Sequence, residues 1–593
     1  MSTRSSSVRP RLALLRQHRR TAGLTLHVSA TAALLAVAVA AGTARTVDLP
    51  EALRTVEVRS REGVVVANTH EAAEAGASIL RAGGNAVDAA VAAAFALNVS
   101  EPMLSGLGGH AWMLVHLADG RDVAIDGSGE VPLSVVPEAL ERLRRAGLLF
   151  GHKVAAAPGG LAALALASRQ FGTKRLPELL APAISLADSG CRLTAHQRSI
   201  LANHGWKLAG MPPLDSILLS PAQRPWDAGH VHCCDDLART LRRLTAEGPE
   251  DFYRGRIADA VEADMTANGG FLRKSDLARV HALARPPLRG RYRGFDVLSL
   301  PGTGGGAAVI EALQILDHVA PESLDRDGVD RLMLLLEAVR IAQLDALAVA
   351  GTGGVGELHV LDPHHAAARR AQIRLSRALS TEEILGRSWR PPHMGGTTEV
   401  SVVDAWGNAV ALTQSLNADL GAAVATPGLG FIFNATLSMC EFDDPASRSY
   451  PRPGRPLPST VAPTILLRNG KPFLVLGSPG SARITSAIVG TIVNVVDRGM
   501  SPGAAVAAPR VLWDGDREPR LLVEMAGPYG DAEVAELHRR GFPVIFTLRF
   551  PEQASDVPAC GAVNTVMVDE TTGEAVGVGD PRRAGAAASG SLR

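Results

Sequence analysis

The sequence predicts an α+β protein, in which helices and paired strands form separate layers. Residues 86–98 are apolar on nearly every side of a helix, which is typical of a buried helix. Residues 397–404 alternate between polar and apolar side chains, which is typical of a half-buried strand. Elements of the two kinds follow one another without a strand–helix–strand rhythm, which favours α+β layers.

The predicted elements cover most of the chain after Glu62. Apolar or alternating runs predict strands at residues 64–67, 112–116, 122–126, 289–300, 397–404, 409–415, 430–433, 464–468 and 473–477. Helical periodicity predicts helices at residues 71–82, 86–98, 332–350 and 484–497, and helical regions within 158–188 and 251–283. The last 15 residues are small and polar, and we expect them to be frayed.

One predicted hairpin brings three polar residues together. Residues 404–408 supply turn chemistry between two strands. If the hairpin folds about Trp406, Thr397 lies opposite Ser415, because each is nine residues from Trp406. Asn417 follows two residues later, on the same face as Ser415. We therefore expect a polar cluster at the open end of the hairpin.

A cut in front of Thr397 would make this cluster reactive. A threonine hydroxyl inside a chain is a poor nucleophile, but at a chain terminus the α-amine, with a pKa of about 8, can take its proton. The flexible pair Gly395–Gly396 precedes Thr397 and is suited to such a cut. Alone, this pattern also fits an ordinary turn that leads into a strand, so the hypothesis depends on the rest of the chain.

Composition and charge narrow the class of protein. Lys plus Arg and Asp plus Glu are balanced at 60 each, which gives no indication of a nucleic-acid partner. The five cysteines have no framework spacing, and they neither demand nor exclude an oxidising compartment.

Residues 1–61 predict an N-terminal extension with a secretory signal. Six arginines within residues 4–20 precede a twelve-residue apolar run at 30–41, and small residues follow at 42–44. The apolar run is short for a membrane span, although an uncleaved anchor remains an alternative, as does a disordered extension. A signal implies a secreted, periplasmic or cell-surface protein.

Motifs in several separate stretches support a more specific identification. They are Gly83–Val91, Ser105–Gly109, Leu179–Ile184, Pro287–Tyr292, Thr397–Thr398 with Ser401–Asp404 and Gly407–Val410, Gly477–Gly480, and Gly579–Arg582. In this order they resemble the γ-glutamyltranspeptidase family (γ-glutamyltransferase, glutathione hydrolase), whose members are N-terminal-nucleophile hydrolases. The resemblance covers nearly everything from Glu62 to Arg583.

The resemblance implies a proenzyme that cuts itself before Thr397. Its two chains would stay together in a four-layer αββα sandwich. Thr397 would serve as nucleophile and base, Ser415 would orient the new amine, and Asn417 would contact the substrate.

The resemblance also implies further site residues. The backbone amides of Gly480 and Ser481 would form the oxyanion hole, where the family has two glycines. Donors of this kind lower a barrier by roughly 3–4 kcal/mol each. Ser459 and Thr460 correspond approximately to a serine pair that binds the substrate carboxylate.

Several positions depart from the family pattern. Ser128 stands in place of the arginine that grips the substrate carboxylate, and a hydroxyl cannot replace a bidentate guanidinium. Gly108–Ala111 replaces a run of four glycines, and Glu399 stands where a histidine is common. Glu441 matches one member of the acidic pair that holds the substrate amine, but only with an insertion before Met439. We expect these departures to alter the binding of the substrate, so the sequence supports amide-bond chemistry better than it supports γ-glutamyl specificity.

Two other clusters are interpreted as ordinary structural features and not as binding sites. His230–Asp235 contains possible metal ligands, but adjacent cysteines rarely share one tetrahedral ion and no second ligand cluster lies at zinc-finger spacing, so we interpret it as a polar loop. Gly302–Gly306 lacks the ending of a phosphate-binding loop, and we interpret it as tight backbone packing.

We therefore predict a self-processing threonine hydrolase or transferase. It would cleave γ-glutamyl amides such as glutathione through a γ-glutamyl-enzyme, and pass the acyl group to water or an amine. The alternatives are a family acylase or amidohydrolase without γ-glutamyl specificity, and a scaffold that is never cut. Residues 62–396 would form the larger chain and 397–593 the smaller, bound to each other. We expect a small amide substrate, no cofactor, no metal and no nucleic acid.

Overall fold

Two large antiparallel sheets pack face to face, and helices cover the outer face of each. The computed structural model describes residues 55–208, 218–220, 226–349, 355–385, 395–513, 515, 520–524, 529–548 and 561–591. The predicted four-layer αββα sandwich is confirmed.

The strands of the described residues run along nearly the whole chain. Their bounds are β1 (Glu57–Ser60), β2 (Gly63–Ala67), β3 (His110–His116), β4 (Asp122–Gly127), β5 (Cys191–Arg192), β6 (Val231–His232), β7 (Leu283–Arg285), β8 (Leu288–Tyr292), β9 (Phe295–Ser299), β10 (Thr397–Asp404), β11 (Ala409–Ser415), β12 (Thr464–Arg468), β13 (Lys471–Gly477), β14 (Val511–Trp513), β15 (Leu521–Glu524), β16 (Val544–Leu548), β17 (Asn564–Val568), β18 (Ala575–Val578) and β19 (Ala586–Ser589).

The helices fall between these strands and form the two outer layers. Their bounds are α1 (His70–Arg81), α2 (Ala86–Ser100), α3 (Pro137–Arg145), α4 (Gly160–Phe171), α5 (Leu176–Ser189), α6 (Ala195–His204), α7 (Asp235–Glu247), α8 (Glu250–Arg254), α9 (Arg256–Ala267), α10 (Lys274–Leu277), α11 (Gly306–Asp317), α12 (Pro321–Asp325), α13 (Val329–Val349), α14 (Val355–Val360), α15 (Pro363–Gln372), α16 (Thr381–Leu385), α17 (Ile484–Val496), α18 (Pro502–Ala507) and α19 (Asp531–Arg539).

Sheet I carries the hairpin, and sheet II lies against it. Sheet I has the strand order β19–β2–β10–β11–β3–β4–β7, and sheet II has the order β1–β18–β17–β13–β12–β9–β8. Helices α1, α2 and α4 pack on the outer face of sheet I, and α11 and α17 pack on sheet II. Within the described residues, no helix is both long enough and apolar enough to cross a bilayer.

Strand β2 shows why the sequence of a central strand can be a continuous apolar run. Val65 faces the core beneath α1 and α2, whereas Val64 and Val66 face the core between the two sheets. Both faces of the strand are buried, so its residues are apolar without alternation. The same burial on both sides holds for β10 in the centre of sheet I.

Asp404 fixes the turn between β10 and β11. Its Oδ1 accepts hydrogen bonds from the backbone N–H groups of Trp406 and Asn408, each at 2.9 Å. Its Oδ2 accepts from Asn408 Nδ2 at 2.7 Å and from the N–H of Ala86, the first residue of α2, at 2.9 Å. One carboxylate thus closes the turn and joins it to a buried helix.

The structure differs from the sequence predictions at four places. Strand β10, predicted to be half-buried, is buried on both faces, because it lies in the centre of sheet I. The strand predicted at 289–300 is a hairpin, because Arg293 and Gly294 adopt positive φ angles of 48° and 83° between β8 and β9. Residues 430–433 form only an isolated bridge, between Gly108 and Phe433. The chain end is not frayed up to residue 591, since β19 pairs with β2 and completes sheet I.

The glycine-rich loop before α11 packs tightly, as predicted. A Cβ on Gly305 would lie 2.6 Å from the carbonyl oxygen of Thr460, and Gly305 N–H donates to the carbonyl of Val461 at 2.7 Å. The missing side chain lets this loop approach residues 459–461, which lead into β12.

We predict that Gly305→Ala lowers the thermal unfolding midpoint, because the methyl group must displace backbone at a cost of about 1–3 kcal/mol. Gly490→Ala is the matched control, since Gly490 lies inside α17 with open space where its Cβ would be. This control should be neutral or stabilising. Equal midpoints for the two variants, measured by calorimetry, would contradict the packing described here.

Candidate active site

Thr397 is the first residue of β10, and its side chain is buried at the open end of the hairpin. The predicted pairing is confirmed, because Thr397 lies opposite Ser415 in the β10–β11 register. Thr397 Oγ1 lies 3.0 Å from Ser415 Oγ. The register of the hairpin alone therefore places one hydroxyl against the other.

The Ser415 hydroxyl is shared among three groups. It lies 2.9 Å from the Gly396 carbonyl oxygen, 3.0 Å from Thr397 Oγ1 and 2.9 Å from the Asn417 N–H. A hydroxyl has one proton and two acceptor lone pairs. Ser415 therefore donates to Gly396 and accepts from both Thr397 and Asn417, and this assignment satisfies every group.

The carbonyl of Gly396 receives two hydrogen bonds. The second donor is the backbone N–H of Leu416, at 2.9 Å. Gly396 has a φ of +56°, and a Cβ on it would lie 1.9 Å from the carbonyl oxygen of Ala418. Only glycine fits at this position. The peptide bond between Gly396 and Thr397 is therefore fixed in place by the two donors to its carbonyl oxygen and by the lack of space around Gly396.

Asn417 follows β11 but does not continue it, because its φ is +67°. Its side-chain Oδ1 lies 2.9 Å from Thr436 Oγ1. The Thr436 hydroxyl also lies 2.6 Å from Asn434 Oδ1, and the amide nitrogen of Asn434 donates to the carbonyls of Gly108 and Ala156. Because a hydroxyl has one proton, Thr436 donates to one amide oxygen at a time, and its contact with Asn417 positions that side chain beside Ser415.

His110 holds Thr436 in place. The N–H of Gly129 donates to His110 Nδ1 at 3.1 Å, so the ring proton lies on Nε2, which is 2.8 Å from Thr436 Oγ1. Burial lowers the pKa of His110 to about 4, which keeps the ring neutral at physiological pH. The chain of contacts from Gly129 through His110 and Thr436 ends at Asn417. Sequence reasoning noted His110 only as a departure from a glycine run, and Thr436 carried no signal.

Gly480 and Ser481 lie in the turn between β13 and α17. Gly480 has a φ of +139° and Ser481 a φ of +62°, so Ser481 occupies a conformation in which glycine is favoured. Thr460 Oγ1 donates to the carbonyl of Ser481 at 2.9 Å. Thr460 therefore stabilises the turn that carries the two amides.

Ser459 is bound to a neighbouring loop. Its N–H donates to the carbonyl of Thr303 at 2.7 Å, and its Oγ accepts from the N–H of Val461 at 3.3 Å. Glu441 lies in the loop after residues 436–439 and accepts a hydrogen bond from Ser447 Oγ at 2.6 Å. The substrate roles of Ser459 and Glu441 stay predictions.

A cavity of about 1020 Å³ opens next to Ser128. The Ser128 hydroxyl donates to Asp126, which also accepts from Ser128 N–H at 2.9 Å and from Thr303 Oγ1 at 3.1 Å. Pro458 lines the same cavity, immediately before Ser459. Ser128 and Pro458 directly precede Gly129 and Ser459 in the chain, so the cavity borders both of these segments.

Glu399 lies two residues after Thr397 on the same face of β10, but it belongs to the sandwich interior. Burial raises the pKa of its carboxyl well above the usual range, because the low-dielectric interior disfavours the charged form. The Thr413 hydroxyl donates to it, and a Cβ on Gly477 of sheet II would lie only 2.2 Å from its carboxyl atoms. The structure therefore places Glu399 between the two sheets, and its effect on substrate binding stays a prediction.

Arg583 and Glu101 are two buried ionisable groups close to Thr397 and Thr398. Arg583 Nη1 donates to the carbonyl of Thr397 at 3.4 Å. Burial raises the pKa of Glu101 to about 7, and the nearby Thr398 hydroxyl and Arg583 guanidinium offset part of this effect. Sequence reasoning missed both residues, although Arg583 directly follows the Gly579–Arg582 motif.

One group of metal-type ligands converges elsewhere in the described residues. His365 Nε2 lies 3.2 Å from Glu311 Oε1 and 3.1 Å from Asp345 Oδ2. Arg369 also binds Asp345 through two nitrogens. The cluster lies on α11, α13 and α15, outside the site described above, and no sequence motif indicated it.

The buried Glu101 carboxyl predicts a pH-dependent stability. The folded protein binds this proton more tightly than the unfolded chain, whose pKa is about 4.3. The stabilisation is therefore complete at low pH and is lost as the pH rises through about 7. The loss in the free energy of unfolding amounts to about 3 kcal/mol at pH 7. We expect the unfolding midpoint of Glu101→Gln to rise relative to that of the native sequence between pH 5 and 8. The exposed Glu322→Gln is the control, and parallel curves for all three proteins would exclude this role of Glu101.

Comparison with known proteins places the chain in a family. The family model Gamma-glutamyltranspeptidase matches residues 72–590. The acylase ACY 1 proenzyme of Pseudomonas sp. (strain SE83) is 36% identical over 502 residues, which cover 82% of this chain and 87% of that protein. The glutathione hydrolase proenzyme of Pseudomonas sp. (strain A14) is 33% identical over 476 residues, which cover 76% of this chain and 82% of that protein.

Solved structures agree with the sequence relatives. The crystal structure of cephalosporin acylase from Bacillus halodurans superposes with a TM-score of 0.79 at 28% identity, and the match covers 93% of this chain and 100% of that one. The fold, the motifs and the matched length together lead to one conclusion: the chain belongs to the γ-glutamyltranspeptidase family.

Proposed function

We propose that this protein is a self-processing amidohydrolase whose nucleophile is Thr397. The observation that carries the proposal is the position of the Ser415 hydroxyl, which lies within 3.0 Å of both Thr397 Oγ1 and the Gly396 carbonyl oxygen. The same hydroxyl thus contacts the attacking atom and polarises the bond to be cut.

Processing follows from this geometry. Thr397 Oγ1 attacks the carbonyl carbon of Gly396, and the negative charge that develops on the carbonyl oxygen is stabilised by Ser415 Oγ–H and Leu416 N–H. The C–N bond breaks, the hydroxyl proton passes to the departing nitrogen, and an ester joins Gly396 to Thr397. Water then cleaves this ester, which leaves a carboxylate on Gly396 and a free hydroxyl and α-amine on Thr397.

Turnover uses the amine that processing releases. The α-amine of Thr397 takes the hydroxyl proton while Oγ1 attacks the substrate amide. The amides of Gly480 and Ser481 would stabilise the oxyanion, and the side chain of Asn417 would hold the substrate. The proton passes to the leaving amine, and water or a second amine releases the acyl group from Thr397.

For the substrate, we favour an acyl amide without strict γ-glutamyl character. Ser128 supplies no guanidinium for an α-carboxylate, and its hydroxyl is already bound to Asp126. Glu441, the expected partner of the α-amine, is bound to Ser447. The relative named as an acylase, at 36% identity, supports this choice. γ-Glutamyl compounds such as glutathione are the second candidate, supported by the relatives named as glutathione hydrolases.

The proposal also includes cleavage of the chain between residues 396 and 397, and export of the protein across a membrane. The predicted secretory signal lies within residues 1–54, outside the described residues. An uncut scaffold is the competing function. It predicts an intact chain however long the purified protein is incubated.

We predict that Thr397→Ala abolishes cleavage, whereas Thr397→Ser, which keeps the hydroxyl, is still cut. Ser415→Ala should slow cleavage by roughly 10²–10³-fold, because it removes one donor to the scissile carbonyl. Ser438→Ala is the matched control, because Ser438 is a nearby exposed serine that bonds only to its own turn. A time course on denaturing gels measures these rates, and normal cleavage of Thr397→Ala would refute the proposal.

We predict that the processed protein turns over glutaryl p-nitroanilide at least tenfold faster, in kcat/KM, than γ-glutamyl p-nitroanilide. The two compounds differ only in the α-amine, whose expected partner, Glu441, already accepts a hydrogen bond from Ser447. The rates of p-nitroaniline release compare them directly. The opposite preference would favour γ-glutamyl specificity instead.

A further inference from the structure

The residue on the acyl side of the proposed cleavage site is bonded to a carboxylate that takes no part in the steps of the proposed mechanism. The N–H of Gly396 donates to Asp419 Oδ1 at 3.1 Å. The carbonyl of Gly396 accepts from the Ser415 hydroxyl and from the N–H of Leu416, each at 2.9 Å. Both backbone polar groups of Gly396 are therefore bonded to residues 415–419.

We propose that Asp419 is a positioning residue for self-cleavage. Its carboxylate fixes Gly396 in the orientation in which the carbonyl faces both of its donors, and His204 directs this carboxylate. The inference rests on the proposed function, because it concerns the cut before Thr397. Asp419 contacts neither the attacking hydroxyl nor the carbonyl under attack, so it acts through the backbone of Gly396.

The position of Asp419 follows from a sharp change of direction after β11. Asn417 and Leu420 have φ angles of +67° and +65°, so residues 417–420 do not continue the strand. The N–H of Leu420 donates to the carbonyl of Met103 at 2.9 Å, which anchors this segment to the loop after α2. The same segment brings the Asp419 carboxylate to one side of Gly396 and the backbone of residue 418 to the other.

Gly396 needs contacts at both ends to stay in one orientation. Glycine has more conformational freedom to lose than any other residue, and Gly395 precedes it in the chain. The bond to Asp419 fixes the N–H end of Gly396, while Ser415 and Leu416 fix its carbonyl end. An orientation that is set before the reaction lowers the barrier, because the reacting groups need not be ordered during the attack.

The second oxygen of Asp419 faces the end of α6. His204 is the last residue of this helix, and its Nε2 lies 3.4 Å from Asp419 Oδ2. Lys207 Nζ donates to the backbone carbonyl of Asp419, also at 3.4 Å. Two further charged groups, Arg583 and Glu101, interact electrostatically with Asp419. The carboxylate is therefore bonded to Gly396 through one oxygen and directed by His204 through the other.

Two substitutions of Asp419 separate the hydrogen bond from the charge. The bond to the Gly396 N–H needs an acceptor at the position of Oδ1, and it does not need a negative charge. Asparagine keeps a carbonyl oxygen at that position, whereas alanine removes it. The inference therefore predicts different cleavage rates for the two variants.

The test follows cleavage of the full-length chain after cell-free synthesis, on denaturing gels taken once translation is stopped. Asp419→Ala should slow cleavage by roughly 10–100-fold, because Gly396 loses a charged acceptor, and Asp419→Asn should stay within about threefold of the native rate. Asp227→Ala is the matched control, since Asp227 is an exposed aspartate that pairs with Arg198. Equal rates for Asp419→Ala and Asp419→Asn would overturn the inference.

A double-mutant cycle tests the role of His204. The contact between His204 and Asp419 is half-exposed, so His204→Ala should slow cleavage only about two- to fivefold. The same substitution should change nothing in the Asp419→Ala chain, because His204 acts through the carboxylate. Equal slowing in both chains would contradict the inference.

Hydrogen exchange in the uncut variant Thr397→Ala separates the inference from the proposed function. Mass spectrometry should show that the Gly396 amide exchanges roughly tenfold faster once Asp419→Ala is added, and this readout requires no cleavage. Unchanged exchange would overturn the inference, whereas a native chain that is never cut would refute the proposed function. If Asp419→Ala raises exchange along the whole chain, Asp419→Leu replaces it in both measurements, because leucine has the shape of aspartate without its oxygens.

Discussion

The carboxylate of Asp404 closes the β10–β11 turn with three hydrogen bonds and joins it to α2 with a fourth. The pairing of the two strands follows from this turn, and the pairing sets Thr397 against Ser415. A slip of one residue would move one of these hydroxyls to the opposite face of the sheet, because side chains alternate along a strand. The position of Thr397 therefore depends on the hydrogen bonds of a carboxylate about seven residues away, at the other end of the hairpin.

One small group then serves two purposes. In the uncut chain the Ser415 hydroxyl donates to the Gly396 carbonyl and accepts from Thr397. Under the proposed function, cleavage would release that carbonyl and leave the hydroxyl free to orient the new α-amine. The rigid surroundings, in which Gly396 has no room for a side chain, keep this arrangement from relaxing in the uncut chain.

The elements that could be predicted from the sequence are those whose structure depends on local sequence patterns. The hairpin could be placed to the residue, because its turn chemistry and its period of two are contiguous in the chain. The contacts made by Thr436, His110 and Arg583 could not be predicted, since their partners lie between about 20 and 330 residues away.

Glu399 illustrates what the spacing along a strand cannot predict. Its spacing from Thr397 places it on the face of the nucleophile, but only the approach of Gly477 from the other sheet shows that it is buried in the interior.

Detection of the acyl-enzyme tests the central claim most directly. The processed protein would be mixed with a slowly hydrolysed acyl p-nitroanilide, quenched in acid within the first turnover and analysed by mass spectrometry of the intact chains. The account predicts that the chain beginning at Thr397 gains the mass of one acyl group, and that fragmentation places the group on Thr397. Release of p-nitroaniline with no such adduct, or with the adduct on another residue, would contradict it.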